Sequence, residues 1–393
     1  MKKLYVFIFC LFSANLIAQV EVITLTSELN GSGGLSLDDD GNLYIGDFGD
    51  MLSGPDTDGM ANHILKLDTD LNLTQYATGF VGASGNGFDN NGTLHQSDIR
   101  DNAIYKIIDG VRTFVTSDGI SSPVGIVFDS ADNFYVCNCG NGTIQKVTPS
   151  GTSTVFASGS VFACPNGITI DENDNLYVSN FSNTNIVKIT PGGTTSIIGN
   201  TEFGNGHLDY DINSRNLYIA SYSGHQVFHL NIDTQVMGVL AGTGVRGNTD
   251  GLAASATFST PNGVAVTQTG DSIYINCAVP LSGPTINPQI IRLIKGVSLS
   301  VEENTLASYR IKAYPNPSHD YVIIEAHLPP MYTDITIRTY NLQGKQMDLL
   351  KVTESTHEIM KQRLDLSNYA TGHYFYTVSN GSKQLFNGKF IKK

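Results

Sequence analysis

The 393-residue chain carries a formal charge of −13, only 15% charged residues, 40 glycines and no tryptophan. That acidic balance excludes nucleic acid and anionic membranes as partners, because either needs a basic surface to neutralise phosphates. Divalent cations and neutral or positively charged ligands stay open, and the length predicts two or three domains.

Two lysines precede an apolar core in MKKLYVFIFCLFSANLIAQ, the layout of a secretory signal over 1–18 with cleavage after Ala18. No other stretch is long and apolar enough for a transmembrane segment. Cys10 follows Phe9, where a lipid-attachment signal needs a small residue. Export implies an oxidising compartment, so the later cysteines are disulfide candidates.

Six related units follow: SGGLSLDDDGNLYIGD from Ser32, GNGFDNNGTLHQSD from Gly85, PVGIVFDSADNFYVCN from Pro123, PNGITIDENDNLYVSN from Pro165, GNGHLDYDINSRNLYIAS from Gly204 and PNGVAVTQTGDSIYINC from Pro261. Each has a leading Gly, a short apolar run, an Asp/Asn turn and a second run centred on Tyr or a substitute. Tyr135, Tyr177 and Tyr218 fall 42 and 41 residues apart. A period in the forties made only of short strands predicts propeller blades. A third strand follows each unit, and a fourth is expected outside it. The last unit lacks its fourth strand, which VEVITLT at 20–26 is expected to supply, closing the ring and removing its open edges.

The stretch AGTGVRGNTDGLAASATFSTPNGVAV at 241–266 resembles an NHL repeat, and Asn62, His63 and Ile64 fall where that repeat's Asn-His-Leu sits. The layout is also similar to the senescence marker protein and gluconolactonase family, again six-bladed. Gly242 to Gly247 satisfies G-x-G-x-x-G, but no strand-helix context surrounds it, so no nucleotide cofactor is expected.

In a propeller the first strands line a central channel. The residues before the leading glycines read Gly33, Asn86, Val124, Asn166, Asn205 and Asn262, and those at the second-strand ends Asp47, Asp98, Asn138, Asn180, Ser221 and Cys277. Asn86, Asn138, Asn166, Asn180, Asn205 and Asn262 are therefore expected at the channel mouth. The gluconolactonase resemblance implies a divalent cation there. Asn166, Asn262, Asn205 and Asp47 would hold Ca²⁺ or a similar ion, and Asp47 or Asp98 would act as catalytic base. Gly33 and Gly34 stand where that family has an acidic residue, and the later units offer no Asp. Asn before Gly also suits a tight turn with no ligand at all.

The first unit carries an insertion, FGDMLSGPDTDGMAN, with Asp50, Asp56 and Asp58, and the sixth carries AVPLSGPTINPQ at 278–289. Neither G-x-S-x-G nor H-E-x-x-H occurs. His95 and His207 align with inner positions, while His63 and His225 fall in third strands. Cys137 and Cys139 lie two apart on one strand, so one of them is expected to pair with Cys164 from the next unit.

After VSLSVEENTL the texture changes. YPNP at 314–317, TYNLQGKQM, GHYFYTV and a terminal KFIKK resemble the C-terminal sorting domain of the type IX secretion system of Bacteroidetes. The expected fold is all-β: a six-bladed β-propeller over 19–298, a linker over 299–309 and a small C-terminal β-sandwich over 310–393. The expected protein is secreted or on the outer cell surface, engaging the type IX machinery through its tail. It would be a binding module for a protein, peptide or glycan; the alternative is a metal-dependent hydrolase of lactones or esters.

Overall fold

Runs of four to seven apolar-alternating residues between Gly and Asp/Asn turns are too short for helices, and they form strands. The computed structural model describes residues 20–51, 62–297, 311–327, 335–341, 345–352, 359–380 and 383–393. The expected signal segment and Asp56 and Asp58 lie outside these residues. The chain divides into two compact units, 1–300 and 301–393.

Strand β1 is Glu21–Thr24. The first sheet holds β2 (Leu35–Leu37), β3 (Leu43–Gly46), β4 (Asn62–Leu67) and β5 (Leu73–Phe80); the second, β6 (Ala83–Phe88), β7 (Leu94–Asp98), β8 (Ala103–Ile108) and β9 (Val111–Thr116). The third holds β10 (Pro123–Phe128), β11 (Phe134–Asn138), β12 (Thr143–Val147) and β13 (Ser153–Ser158); the fourth, β14 (Pro165–Ile170), β15 (Leu176–Asn180), β16 (Asn185–Ile189) and β17 (Thr195–Asn200). The fifth holds β18 (Leu208–Asp211), β19 (Asn216–Ser221), β20 (Gln226–Asn231) and β21 (Met237–Ala241). The sixth contains β22 (Gly251–Leu252), β23 (Val264–Val266), β24 (Ser272–Ala278) and β25 (Gln289–Lys295), in the order β22-β1-β25-β24-β23. Val22 faces Ile294 and Thr24 faces Arg292, so the N-terminal strand joins the last sheet.

Innermost strands pack in the cycle β2, β6, β10, β14, β18, β23 and back to β2. This packing explains the leading glycines. A methyl on Gly85 would meet the Val124 carbonyl oxygen at 2.3 Å, one on Gly125 the Asn166 oxygen at 2.6 Å, and one on Gly206 the Asn262 oxygen at 2.5 Å. Gly263 closes the cycle, its methyl reaching the Gly33 oxygen at 3.0 Å. At these glycines the innermost strand lies too close to the next for a Cβ.

The Asp/Asn turns have an equally local cause. Asp129 Oδ1 accepts from the backbone N–H of Ala131 and Asn133, while Oδ2 accepts from the Asn133 amide and, at 3.0 Å, from Tyr135 Oη. Asp171, Asn175 and Tyr177 repeat the pattern. Lys146 lies over the Tyr135 ring and Lys66 over Tyr44, so the marker tyrosine, turn carboxylate and third-strand lysine form one unit. Burial is the main force raising the Tyr135 and Tyr177 phenols, with their Asp partners adding to it. Hydrogen bonds hold the Asp129 and Asp171 carboxyls below their ordinary value despite the opposing desolvation.

In the second unit, β26 (Ile311–Tyr314), β27 (Tyr321–His327) and β30 (Ile359–Asp365) form one sheet. A second sheet runs β29 (Gln346–Val352), β28 (Ile335–Asn341), β31 (Gly372–Asn380), β32 (Lys383–Lys392). One core draws Val322, Ile324 and Leu364 from the first and Ile337, Tyr374 and Phe390 from the second. The YPNP segment is held from its asparagine: Asn316 Oδ1 accepts from Ile391 N at 3.0 Å.

Candidate functional site

Strand pairing sets the true equivalences between sheets. The residue after the marker Tyr faces Leu35, Asn86, Ile126, Ile168, Leu208 and Val264 in the six sheets. Counting back, the leading positions are Gly34, Gly85, Gly125, Gly167, His207 and Gly263, and the residues before them Gly33, Ser84, Val124, Asn166, Gly206 and Asn262. Only Asn166 and Asn262 of the expected asparagine ring share a position. Asn86 sits two residues later, because Gly85 and not Gly87 takes the leading place, and Asn205 sits one residue earlier. The G-N-G tripeptide at 85 allows either glycine to lead by eye, whereas at 204 the residue after the tripeptide takes the leading place, and only hydrogen-bond register shows this.

Hydrogen bonds occupy most of the other candidates. Asn138 accepts from Ser121 N and donates to the Gly119 carbonyl, and Asn180 accepts from Ala163 N and donates to the Asn185 carbonyl. Both are fully buried and cap the turns beside their strands. Asp98 accepts from Val81 N and Asp101 N in the same way. Asp47 Oδ1 accepts from Ser32 Oγ, Gly49 N and Asn287 Nδ2, while its buried Oδ2 has no partner. Asn205 Oδ1 accepts from Thr201 Oγ1. Asn166 and Asn262 donate to the Asn205 and Ser32 carbonyls of the following sheets.

These residues do not fit the expected channel-mouth cation. Of the four expected ligands, Asn166 and Asn262 donate to strand carbonyls, Asn205 Oδ1 accepts from Thr201, and Asp47 is the one carboxylate, whereas a hard dication needs several charged oxygens beside neutral ones. Among the described residues no group of three His, Cys, Asp or Glu is placed to hold a metal ion.

The chemistry-bearing space lies further along the channel. A cavity of about 240 Å³ is lined by the innermost strands of all six sheets and runs toward the Asp/Asn turns, where Asp38 and the exposed Gln268 border it. Ser36, Asn86, Thr169, His207 and Asp209 are its other polar residues, and it holds no Lys or Arg. Ser36 Oγ donates to Asn86 Oδ1 at 2.6 Å. The Asn86 Nδ2 group is buried without a hydrogen-bond partner. Asp209 joins three sheets, its Oδ1 accepting from Thr169 Oγ1 and Tyr210 N and its Oδ2 from Val266 N. Burial pushes its carboxyl up, against those hydrogen bonds.

His207 marks the other end of the cavity. It is 8% exposed, and its ring reaches from the fifth sheet to the first: a methyl on Gly34 would lie 2.9 Å from its Cε1. Burial alone lowers its pKa to about 4, so the imidazole is neutral at physiological pH. Sequence reasoning placed His207 at an inner position but not across the channel, because its register was off by one.

Two other histidines of this unit hold neighbouring elements together. His95 takes the marker Tyr's place and packs 4.8 Å from the Phe128 ring centre, and His225 Nδ1 accepts from Thr260 N. His63 lies on β4 beside Asn62 and Ile64. Gly242 and Gly244 adopt φ of 103° and 81° in a turn between the fifth and sixth sheets. Cys139 and Cys164 form a disulfide between the third and fourth sheets, and Cys137 and Cys277 are buried thiols.

Residues 312–393 match the family described as "Secretion system C-terminal sorting domain". None of the curated proteins matches the chain in sequence. Among solved structures, an auxiliary nutrient binding protein from Bacteroides ovatus is 16% identical over 70% of this chain and 76% of its own, with a TM-score of 0.55. A gluconolactonase from Xanthomonas campestris is 14% identical over 72% of this chain and 92% of its own, with a TM-score of 0.53. A protein of unknown function from Bacteroides thetaiotaomicron, 14% identical over 70% and 76%, reaches 0.56. The likeness is one of fold, to propellers of the gluconolactonase kind. No helix among the described residues is long and apolar enough to cross a membrane. The sorting tail marks the chain as an exported protein.

Proposed function

We propose that the six sheets are the blades of a β-propeller and that the tail is a β-sandwich delivering it through the type IX secretion machinery to the cell surface or beyond. The propeller acts there as a binding module that takes a glycan, or a protein or peptide terminus, into its channel. One observation carries this reading: a cavity touched by all six innermost strands, whose polar groups Ser36, Asn86, Thr169 and His207 are uncharged and whose carboxylates, Asp38 and Asp209, are already hydrogen-bonded. A pocket with a few convergent polar groups in an otherwise apolar wall is the usual form of a ligand site. The nutrient-binding proteins of similar fold agree with it, as analogy only.

A melting-temperature screen of the full chain against glycans and peptides, with and without Ca²⁺, tests the proposal. Saturable stabilisation by a glycan or peptide, unchanged by chelator, is the expected result. Lactone or ester turnover that requires a divalent cation would overturn it in favour of the hydrolase.

A further inference from the structure

The six-fold repeat sets an internal standard, and two residues of the cavity depart from it. At the register of Leu35, Ile126, Ile168, Leu208 and Val264, the second sheet has Asn86. At the register of Gly34, Gly85, Gly125, Gly167 and Gly263, the fifth sheet has His207. Each departure carries a cost, although Asn86 Oδ1 accepts from Ser36 Oγ of the first sheet. Asn86 buries an amide nitrogen with no partner, and His207 buries an imidazole that burial alone forces neutral. Polar groups that break a local rule at a stability cost, and that line the same cavity, mark a site.

We propose that Asn86 and His207 recognise a neutral, polyhydroxylated ligand the size of one sugar or cyclitol ring, bound between the His207 ring and the Asp/Asn turns. This rests on the binding-module reading and narrows its ligand. The volume, about 240 Å³, is just under the roughly 300 Å³ at which pockets for drug-sized ligands begin. Charge selects against ions. No Lys or Arg faces the space, His207 is neutral, and the two carboxylates of the space are committed: both Asp209 oxygens accept from donors of three sheets, and both Asp38 oxygens accept from Asn42 and Tyr44 in its own turn. The groups on offer are the Asn86 amide N–H, an imidazole and, as acceptors, the hydroxyl oxygens of Ser36 and Thr169, whose hydrogens go to Asn86 and Asp209; these suit ligand hydroxyls. Phe88, Ile126 and Val127 give the apolar wall that the C–H face of such a ring needs.

Calorimetric titration of the full chain with glucose, galactose, mannose and myo-inositol tests this, beside glucuronate, glucosamine and a short neutral peptide. The expected result is saturable binding of at least one neutral ring, at least tenfold weaker in Asn86→Leu, with the charged analogues excluded. Asn86→Leu installs the residue type of the other five sheets and should melt at or above the parent temperature, so lost binding is not lost folding. His207→Gly, which restores the repeat glycine, should weaken binding by a similar factor. Binding unaffected by Asn86→Leu overturns the assignment of the site. Binding of the peptide or an ion in place of the neutral rings overturns the ligand class while leaving the binding module standing. No binding of any probe overturns the proposal, and the wider glycan and peptide screen then decides the module by itself.

Discussion

Burial of His207 makes the stability of the first unit depend on pH in a defined window. Its pKa is about 4 in the folded chain against about 6.5 for a free imidazole. The unfolded state therefore takes up the proton first, and stability is constant above about pH 6.5 and falls as pH drops toward 4. The full difference corresponds to about 3 kcal/mol, of which about 2 kcal/mol is lost by about pH 5. His95, His225 and His229 are also lowered by burial and act with the same sign, while Asp209, raised by burial, acts with the opposite one. Comparison with His207→Gln isolates the one imidazole. Urea unfolding of both proteins, followed by circular dichroism at about pH 8 and pH 5, should show the parent losing about 2 kcal/mol more than the variant. Equal losses would mean that His207 is protonated in the folded chain, so that it does not lie dehydrated across the channel.

Three further outcomes follow from the frame. Replacing Cys139 and Cys164 by Ser opens a loop of 25 residues' separation, and the chain-entropy estimate is a loss of about 3.5 kcal/mol, measurable as a lower urea midpoint. Gly125→Ala forces a methyl to 2.6 Å from the Asn166 oxygen, and its cost should reach about 3 kcal/mol, the upper end for overpacking; the same change at Gly92, where nothing lies within 4 Å, tests backbone strain alone. Asp250→Ala removes the partner of the fully buried Arg292 and of Thr24 on β1. Because Asp250 is half-exposed and Arg292 keeps the Thr249 and Thr257 carbonyls, the loss should be about 1–2 kcal/mol and should expose the N-terminal strand to protease; an unchanged cleavage rate would count against the closure.

Repetition made much of the architecture legible. Leading Gly, turn Asp and marker Tyr recur because each does a local job, seen complete in the first, third and fourth sheets: clearance for the next strand, an Asx-type turn, and a phenol held by that turn. Even the strand borrowed from 21–24 could be foreseen from the sixth unit's missing fourth strand. The tail was equally readable, since its motifs run in order along one contiguous segment.

Legibility stopped at the channel. Asn86 and Asn205 looked equivalent to Asn166 and Asn262 because all precede glycine, yet pairing with β7 and β19 moves them by two residues and one. A side chain's face on a strand changes with a single step of register, and register is set by hydrogen bonds between strands that the spacing of glycines does not encode. The same step turned His207 from an ordinary inner residue into the group that crosses the channel. The sequence by itself thus determined the all-β repeat, the turn chemistry and the export tail, all of which depend on neighbours close along the chain. Which polar groups meet in one cavity was decided only by closing six sheets into a ring, because those groups are brought together from residues 36 to 209.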